Sequence, residues 1–275
     1  VNKMKVLDFK LEGSVFSYVR ERCFEFCEQH ELEPLIISDN GSKAWGYDSP
    51  ISDRDILVLF KHKSSEYRNF FLLTDYYGFK PSEDFDFKFW DINKYFQLLW
   101  KCNAQTYELV CSPWIYYEDT NAGMLRDLTK IILLQNLQYV YGHYYGLAKK
   151  TYKERVAKAG EVTSKKYLYI IRPLLHCHEI ETNNCLPELN FEKCLTANKD
   201  IFTDEQYALV LDLLAQKRSG NLTMEHKGRY DALDQFCEEH VNKAQARLNN
   251  WPVPVPVDNV KNKEVFNNWY KYYTK

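Results

Sequence analysis

The sequence predicts an α+β fold: strands and helices mixed up to about residue 112, then an all-helical region over residues 113–275. Three observations predict it. The run DILVLF, Asp55–Phe60, is an apolar stretch of strand length, too short for a helix. The segment INKYFQLLWKC gathers Ile92, Tyr95, Phe96, Leu99 and Trp100 on one helical face. After Pro113 the apolar period is helical nearly throughout, with no strand candidate as good as DILVLF.

Taken in order, residues 14–30 space Val15, Val19, Cys23, Phe26 and Cys27 as a helix, with Ser14 placed to cap it. EPLIIS follows as a short strand. A glycine-serine turn and a polar link with Pro50 lead to the strand DILVLF. Residues 64–80 read as a helix or irregular cover. FDFKF, Phe85–Phe89, alternates weakly as a third strand, and Asp91 stands at the N-cap of the next helix. TYELVC is a further helix, stopped by Pro113. Beyond it the helical candidates are 120–149, 163–182, 203–217 and 229–248, then an extended strap in WPVPVPVD and a closing aromatic helix. No Gly/Ser linker separates residues 1–112 from 113–275, so the two parts are expected to pack as one body.

Composition narrows the function. The net charge of -2 argues against a purely electrostatic nucleic-acid binder. No apolar run is long enough to span a bilayer. The opening VNKMKVLDFKLEG lacks the long apolar core of a secretory signal, and its leading Val1 suggests a trimmed start. The eight cysteines include no CxxC pair, so reduced, mostly buried thiols in a cytoplasmic protein are expected. His176 and His178 flank Cys177, but i and i+2 positions of a helix face apart, so a structural role is expected over zinc.

The chemistry concentrates in SDNGSKAWGYDSPISDRDILVLF, Ser38–Phe60. In a strand Asp53 and Asp55 emerge on one face, and two carboxylates that close repel unless a cation lies between them. Oxygen donors of this kind suit Mg²⁺, with Mn²⁺ as the alternative. A third acid on a neighbouring strand allows two ions, and Asp86 is the choice, with Asp84 and Asp91 as rivals. Gly41 lets the backbone approach an anion, Ser42 adds a hydroxyl, and Lys43 faces either phosphates or solvent. The plainer alternative is a surface turn rich in Asp, Ser and Pro. It accounts well for Asp48 and Ser49. It accounts badly for Asp55, an acid leading into a buried apolar run.

These residues resemble the signature of the nucleotidyltransferase fold, the polymerase-beta-like superfamily: a glycine-serine turn, D-x-D, then a third acid on a later strand. The likeness is stronger to one branch, the YcgL-type predicted nucleotidyltransferases, or RNA-ligase-associated RlaP family. Its turn looks like GSRAWG-x-x-SPDSDYD. GSKAWGYDSPISDRD departs from it at Lys43, Ile51 and Arg54. Asp86, Trp90, Asp91, Lys94, Glu108, Ser112 and Pro113 keep the branch's next pattern, and KKYLYIIRPLLHCHEI resembles its KK-x-LY-x-x-RP helix. Tyr144, Lys149 and Tyr152 fit the helix before it, and DALDQFCEEH also looks similar to the branch, so the resemblance runs from about residue 36 to 245. It implies a small mixed sheet with a helical second wall, and Mg²⁺-dependent transfer of a nucleoside monophosphate from a nucleoside triphosphate. ATP is the nucleotide named, with CTP, GTP and UTP left open. The acceptor, a hydroxyl or a phosphate, stays open among RNA ends, a small molecule and a protein side chain, RNA being the one the ligase association suggests.

The second wall has its own signal. Between Lys149 and Arg172 eight cations face only Glu154 and Glu161, a local +6. Such a run suits phosphates or an RNA backbone, and Tyr152, Tyr167 and Tyr169 could stack on bases; a solvated helix face is the alternative. Lys149, Lys165, Lys166 and Arg172 are the nucleotide-binding candidates, although Arg172 has a structural alternative, bracing a kink at Pro173. Lys94 and Glu108 are expected to form an ion pair. A non-catalytic RNA-binding scaffold and a metal-dependent phosphohydrolase stand as the competing functions.

Overall fold

The computed structural model describes residues 3–68, 72–158, 162, 165–220, 228–251 and 259–275. The strap expected over Pro252, Pro254 and Pro256 lies outside them.

The apolar run at Ile56–Phe60 forms the middle of β2 (Arg54–His62), and β2 is buried because it is central in its sheet. It pairs antiparallel with β1 (Leu32–Asp39) and parallel with β4 (Phe85–Asp91). β3 (Tyr76–Ser82) and β5 (Ile115–Glu118) complete a mixed five-stranded sheet in the order β3-β4-β2-β1-β5. A strand covered on both faces has no polar side to show, which is why β2 reads as a continuous apolar run.

Each face has its own core. On one, α1 (Lys3–Gln29) lays Val19, Cys23 and Cys27 against Ile37, Ile56, Val58, Phe60, Phe87 and Phe89. On the other, Ile36, Leu57, Leu59 and Trp90 meet α2 (Ile92–Trp100), α3 (Gln105–Cys111) and the helices that follow. Those are α4 (Ala122–Leu134), α5 (Leu137–Tyr152), α6 (Lys165–Asn183), α7 (Phe191–Ala197), α8 (Asp204–Arg218), α9 (Asp231–Asn249) and α10 (Asn259–Tyr273). This second core joins the sheet to the helical region without a break. Among the described residues no helix is long and apolar enough to cross a membrane.

Several boundaries differ from the sequence reading. Helix α1 begins at Lys3, so Ser14 lies within it and is not its N-cap. Residues 76–82 form an edge strand, overlapping a stretch, 64–80, that reads in the sequence as a helix or irregular cover. Gly78 and Pro81 mask it, and both are tolerated because an edge strand has one unpaired side and the register shifts between Phe79 and Ser82. β5 is a strand in the stretch read as helical, too short to show a period, and its pairing with β1 carries the sheet beyond residue 112. The candidate helix 120–149 is two helices, broken where Asn136 leaves helical geometry at φ -132°. Asp91 does cap α2, accepting a hydrogen bond from Asn93 N at 2.8 Å.

Candidate active site

The turn Asn40–Tyr47 connects β1 to the polar link before β2. It is built around two glycines. Asn40 N donates to Asp55 O at 2.8 Å, which draws the turn onto the start of β2. At that approach a Cβ on Gly41 would lie 2.1 Å from Asp55 Oδ2, so any larger residue displaces the carboxylate from its place against the turn. Gly46 has φ +76°, and a Cβ there would meet the Asn190 side-chain amide at 2.5 Å. The helical region holds the turn from behind. Phe191 N donates to Trp45 O at 2.9 Å, and Arg218 donates to Gly46 O at 2.7 Å. Ser42 is nearly buried, and Lys43 pairs with Asp48 at 3.4 Å while its ammonium lies 4.1 Å from the centre of the Trp114 ring.

The acids come next. The parallel register sets Asp55 directly against Asp86, and both project on the sheet face that carries Leu57, Leu59 and Trp90. Of the rival acids, Asp91 is buried, capping its helix and accepting from Tyr67 Oη at 2.6 Å, and Asp84 is exposed in the turn before β4. Asp53 is exposed just before β2 begins. Burial lifts the Asp55 carboxyl above its usual range; Lys88 opposes the lift, and Asp53 and Asp86 add to it. All three carboxylates therefore share one electrostatic neighbourhood.

They do not form a ready-made three-acid cage. Among the described residues, no group of three or more His, Cys, Asp or Glu side chains is disposed to hold a metal. Asp55 and Asp86 share the ammonium of Lys88 instead, 3.3 Å from Asp55 Oδ1 and 2.7 Å from Asp86 Oδ2. Burial works against that ammonium, but Asp86 and Asp55 outweigh it and hold its pKa above the usual lysine value. Carboxylates that face one another from adjoining strands are oxygen donors of the kind a hard divalent ion takes, so by donor chemistry Asp55 and Asp86 are the residues that could hold Mg²⁺.

A fourth acid lies behind the turn. Asp39 ends β1 fully buried, bonded by Arg54 at 3.3 Å, Tyr116 Oη at 3.2 Å and Gly41 N at 3.5 Å. Burial pushes its carboxyl up to about 6 against the pull of Arg54. The sequence reading missed it, although an acid closing an apolar strand carries the same signal as Asp55 opening one.

The opposing wall comes from α6 and α8. Lys165 and Lys166 stand at the start of α6 with their ammonium groups 5.5 and 5.3 Å from the Tyr169 ring centre, and Tyr169 packs edge-on against Trp45 of the turn. Lysines in a first helical turn oppose the helix dipole, which leaves this end strongly electropositive. Burial, then Arg155 and Lys165, hold Lys166 below its usual pKa. Lys217, near the end of α8, went unremarked in the sequence. It is 5% exposed, donates to Ser52 Oγ at 2.7 Å and Ser49 Oγ at 3.4 Å, and feels Lys165, Asp48 and Asp53. Burial and then Lys165 lower its pKa.

Two expected phosphate contacts have other partners. Arg172 is buried, donating to Glu108 Oε1 at 2.9 Å with its guanidinium 3.8 Å from the Trp45 ring centre. Trp45 Nε1 and Tyr144 Oη also donate to Glu108, so this cluster braces the turn from beneath. Lys149 donates to Gln245 on α9 at 2.8 Å. The ion pair expected between Lys94 and Glu108 is replaced by Lys94–Asp75 and Arg172–Glu108. Lys94 lies just after β4 and can reach the end of the connection that precedes β3, whereas Glu108 points into the helical core. His176 is buried edge-on against Tyr144, with ring centres 4.5 Å apart.

The sequence model of the family described as "RlaP: RNA repair pathway DNA polymerase beta family" matches residues 19–262. The chain belongs to this family. The matched range takes in the turn, all three candidate acids and the basic wall. A relative in Bacillus subtilis (strain 168), described as "Uncharacterized protein YcgL", is 30% identical over 217 residues, 78% of this chain and 81% of the relative. Among solved structures, a nucleotidyltransferase-like protein from Exiguobacterium sibiricum 255-15 aligns at 13% identity over 86% of this chain and 74% of its own, with a TM-score of 0.29, a likeness that carries no argument by itself. Membership in a polymerase-beta family makes the chain one of the nucleotidyltransferase kind.

Proposed function

We propose that the chain transfers a nucleoside monophosphate from a nucleoside triphosphate, with ATP as donor and an RNA end as acceptor. The observation that carries this is the placement of Asp55, packed against Gly41 on one side and in register with Asp86 on the other. A phosphate-binding turn and a carboxylate pair thus meet at one point, which a plain surface turn has no reason to build. Mg²⁺ or Mn²⁺, held by Asp53, Asp55 and Asp86, would supply charge neutralisation of the phosphates and activation of the acceptor oxygen.

The chain's own residues do the rest. The backbone and hydroxyl of Gly41 and Ser42 receive the triphosphate, with Lys43 beside them. Lys165, Lys166 and Lys217 hold its outer phosphates, and the mutual repulsion of these cations is relieved by a polyanion. The acceptor oxygen attacks the α-phosphorus while Asp86 takes its proton as general base. The bond from the α-phosphorus to the bridging oxygen breaks and pyrophosphate leaves toward the lysines. Positioning and charge stabilisation supply most of the rate gain.

The test incubates the protein with each α-labelled nucleoside triphosphate, Mg²⁺ and a pool of RNAs with defined ends. The account expects labelled RNA and free pyrophosphate, both lost in Asp53→Asn. Label that persists in Asp53→Asn contradicts it. Hydrolysed nucleotide with unlabelled RNA favours a phosphohydrolase, and RNA binding without turnover favours a scaffold.

A further inference from the structure

We propose that Lys88 is the resident counter-cation of the acid pair, and that a divalent ion reaching Asp55 and Asp86 must displace its ammonium first. The inference rests on the reading that these acids take a divalent cation.

The geometry is specific. Asp86 and Lys88 are two apart on β4 and share a face, and the register brings Asp55 to the same place from β2. Like charges directly opposite one another across a strand pair destabilise it. The Lys88 ammonium, within 3.3 Å of Asp55 and 2.7 Å of Asp86, removes that repulsion. Other strand lysines pair with one acid each, as Lys61 does with Glu33 at 3.1 Å. Lys88 alone among these bridges two acids of the D-x-D motif and its partner strand. Its side chain keeps 38% exposure, so the flexible stem can swing the ammonium into water without disturbing the core. The arrangement therefore holds the carboxylates together in the metal-free protein and weakens their grip on an incoming ion.

Removing the lysine should tighten metal binding. A single charge and a divalent ion about 8 Å apart in water repel enough to change an affinity by about fivefold. The experiment titrates the full chain with Mn²⁺ alone and follows free Mn²⁺ by its spin-resonance signal, so no turnover is needed. Lys88→Met and Lys88→Gln are expected to bind Mn²⁺ about fivefold more tightly than the parent. Lys88→Arg, which keeps the charge, is expected to stay within twofold of the parent, and Lys61→Met not to change. Circular dichroism checks that each variant is folded, and the glutamine variant serves if methionine disturbs the strand. Asp55-dependent Mn²⁺ binding that does not tighten in either neutral variant overturns the role of Lys88 while leaving the site intact. Mn²⁺ binding that is absent in the parent, or indifferent to Asp55→Asn, overturns the site reading and this inference with it.

Discussion

Gly41→Ala tests whether the turn and the carboxylate must touch. The added methyl would sit 2.1 Å from Asp55 Oδ2, 2.9 Å from Cγ and 3.0 Å from Cβ. Rotation about the Asp55 Cα–Cβ bond relieves the first two contacts but not the third, because Cβ does not move with that rotation. Restoring ordinary contact requires the carboxylate oxygen to shift by about 1.3 Å. A misplacement of about 1 Å at reacting groups costs about 100-fold in rate. Gly41 is not among the positive-φ glycines, so alanine introduces no backbone strain. It also shortens the list of unfolded conformations, worth about 0.4–1 kcal/mol in favour of folding. The expected result is a loss of about 100-fold in label transfer from α-labelled ATP with a melting temperature within a few degrees of the parent. Gly13→Ala in α1, where nothing lies within 4 Å of the added carbon, is the control and should transfer label normally. Parental turnover in Gly41→Ala would refute the argument that Asp55 acts from its position against the turn.

Three further outcomes follow from the same contacts. Asp39 has a folded pKa of about 6, above the unfolded value of about 3.9, so the native state binds more protons between them and stability falls as pH rises through that window. Asp39→Asn should therefore gain stability relative to the parent from pH 4 to 6 in urea denaturation, and a pH-independent difference contradicts this. Glu108→Ala strands the buried Arg172 guanidinium and should destabilise by about 3–5 kcal/mol in the same assay; a loss under 1 kcal/mol would show the pair is dispensable. Lys217→Met removes a nearly buried charge whose partners are two serine hydroxyls, so it should weaken binding of a non-hydrolysable ATP analogue about tenfold by calorimetry while leaving the melting temperature equal or higher. Weaker binding together with a large drop in melting temperature would assign it a structural role.

Much of this arrangement is legible in the sequence, and the parts that are not share a cause. Strands β1 and β2 announce themselves by apolar runs bounded by polar residues, β4 by a weaker alternation, and Asp91 by its place before an amphipathic helix. Asp55 stands out because a carboxylate opening a buried strand needs a partner. β5 and α7, at 4 and 7 residues, are too short to establish a period. Lys88 hides in the weak alternation of FDFKF. Its position two residues from Asp86 is visible, but its second partner depends on a parallel register that no local pattern encodes. Lys217 is more remote still, since its serine partners lie 165 and 168 residues away. Arg172 shows the converse limit. A cation in a basic segment reads as a phosphate ligand until tertiary packing buries it against Glu108 and Trp45.

The central claim is that Asp53, Asp55 and Asp86 hold a divalent cation beside a nucleotide seated on the Gly41–Ser42 turn. Anomalous diffraction from a crystal grown with Mn²⁺ and a non-hydrolysable nucleoside triphosphate measures this directly. The account predicts a manganese peak coordinated by these carboxylates, with Lys88 withdrawn from between Asp55 and Asp86 and the triphosphate resting on the turn. Manganese bound elsewhere, or a nucleotide seated away from Gly41 while Lys88 still bridges the two acids, would contradict it.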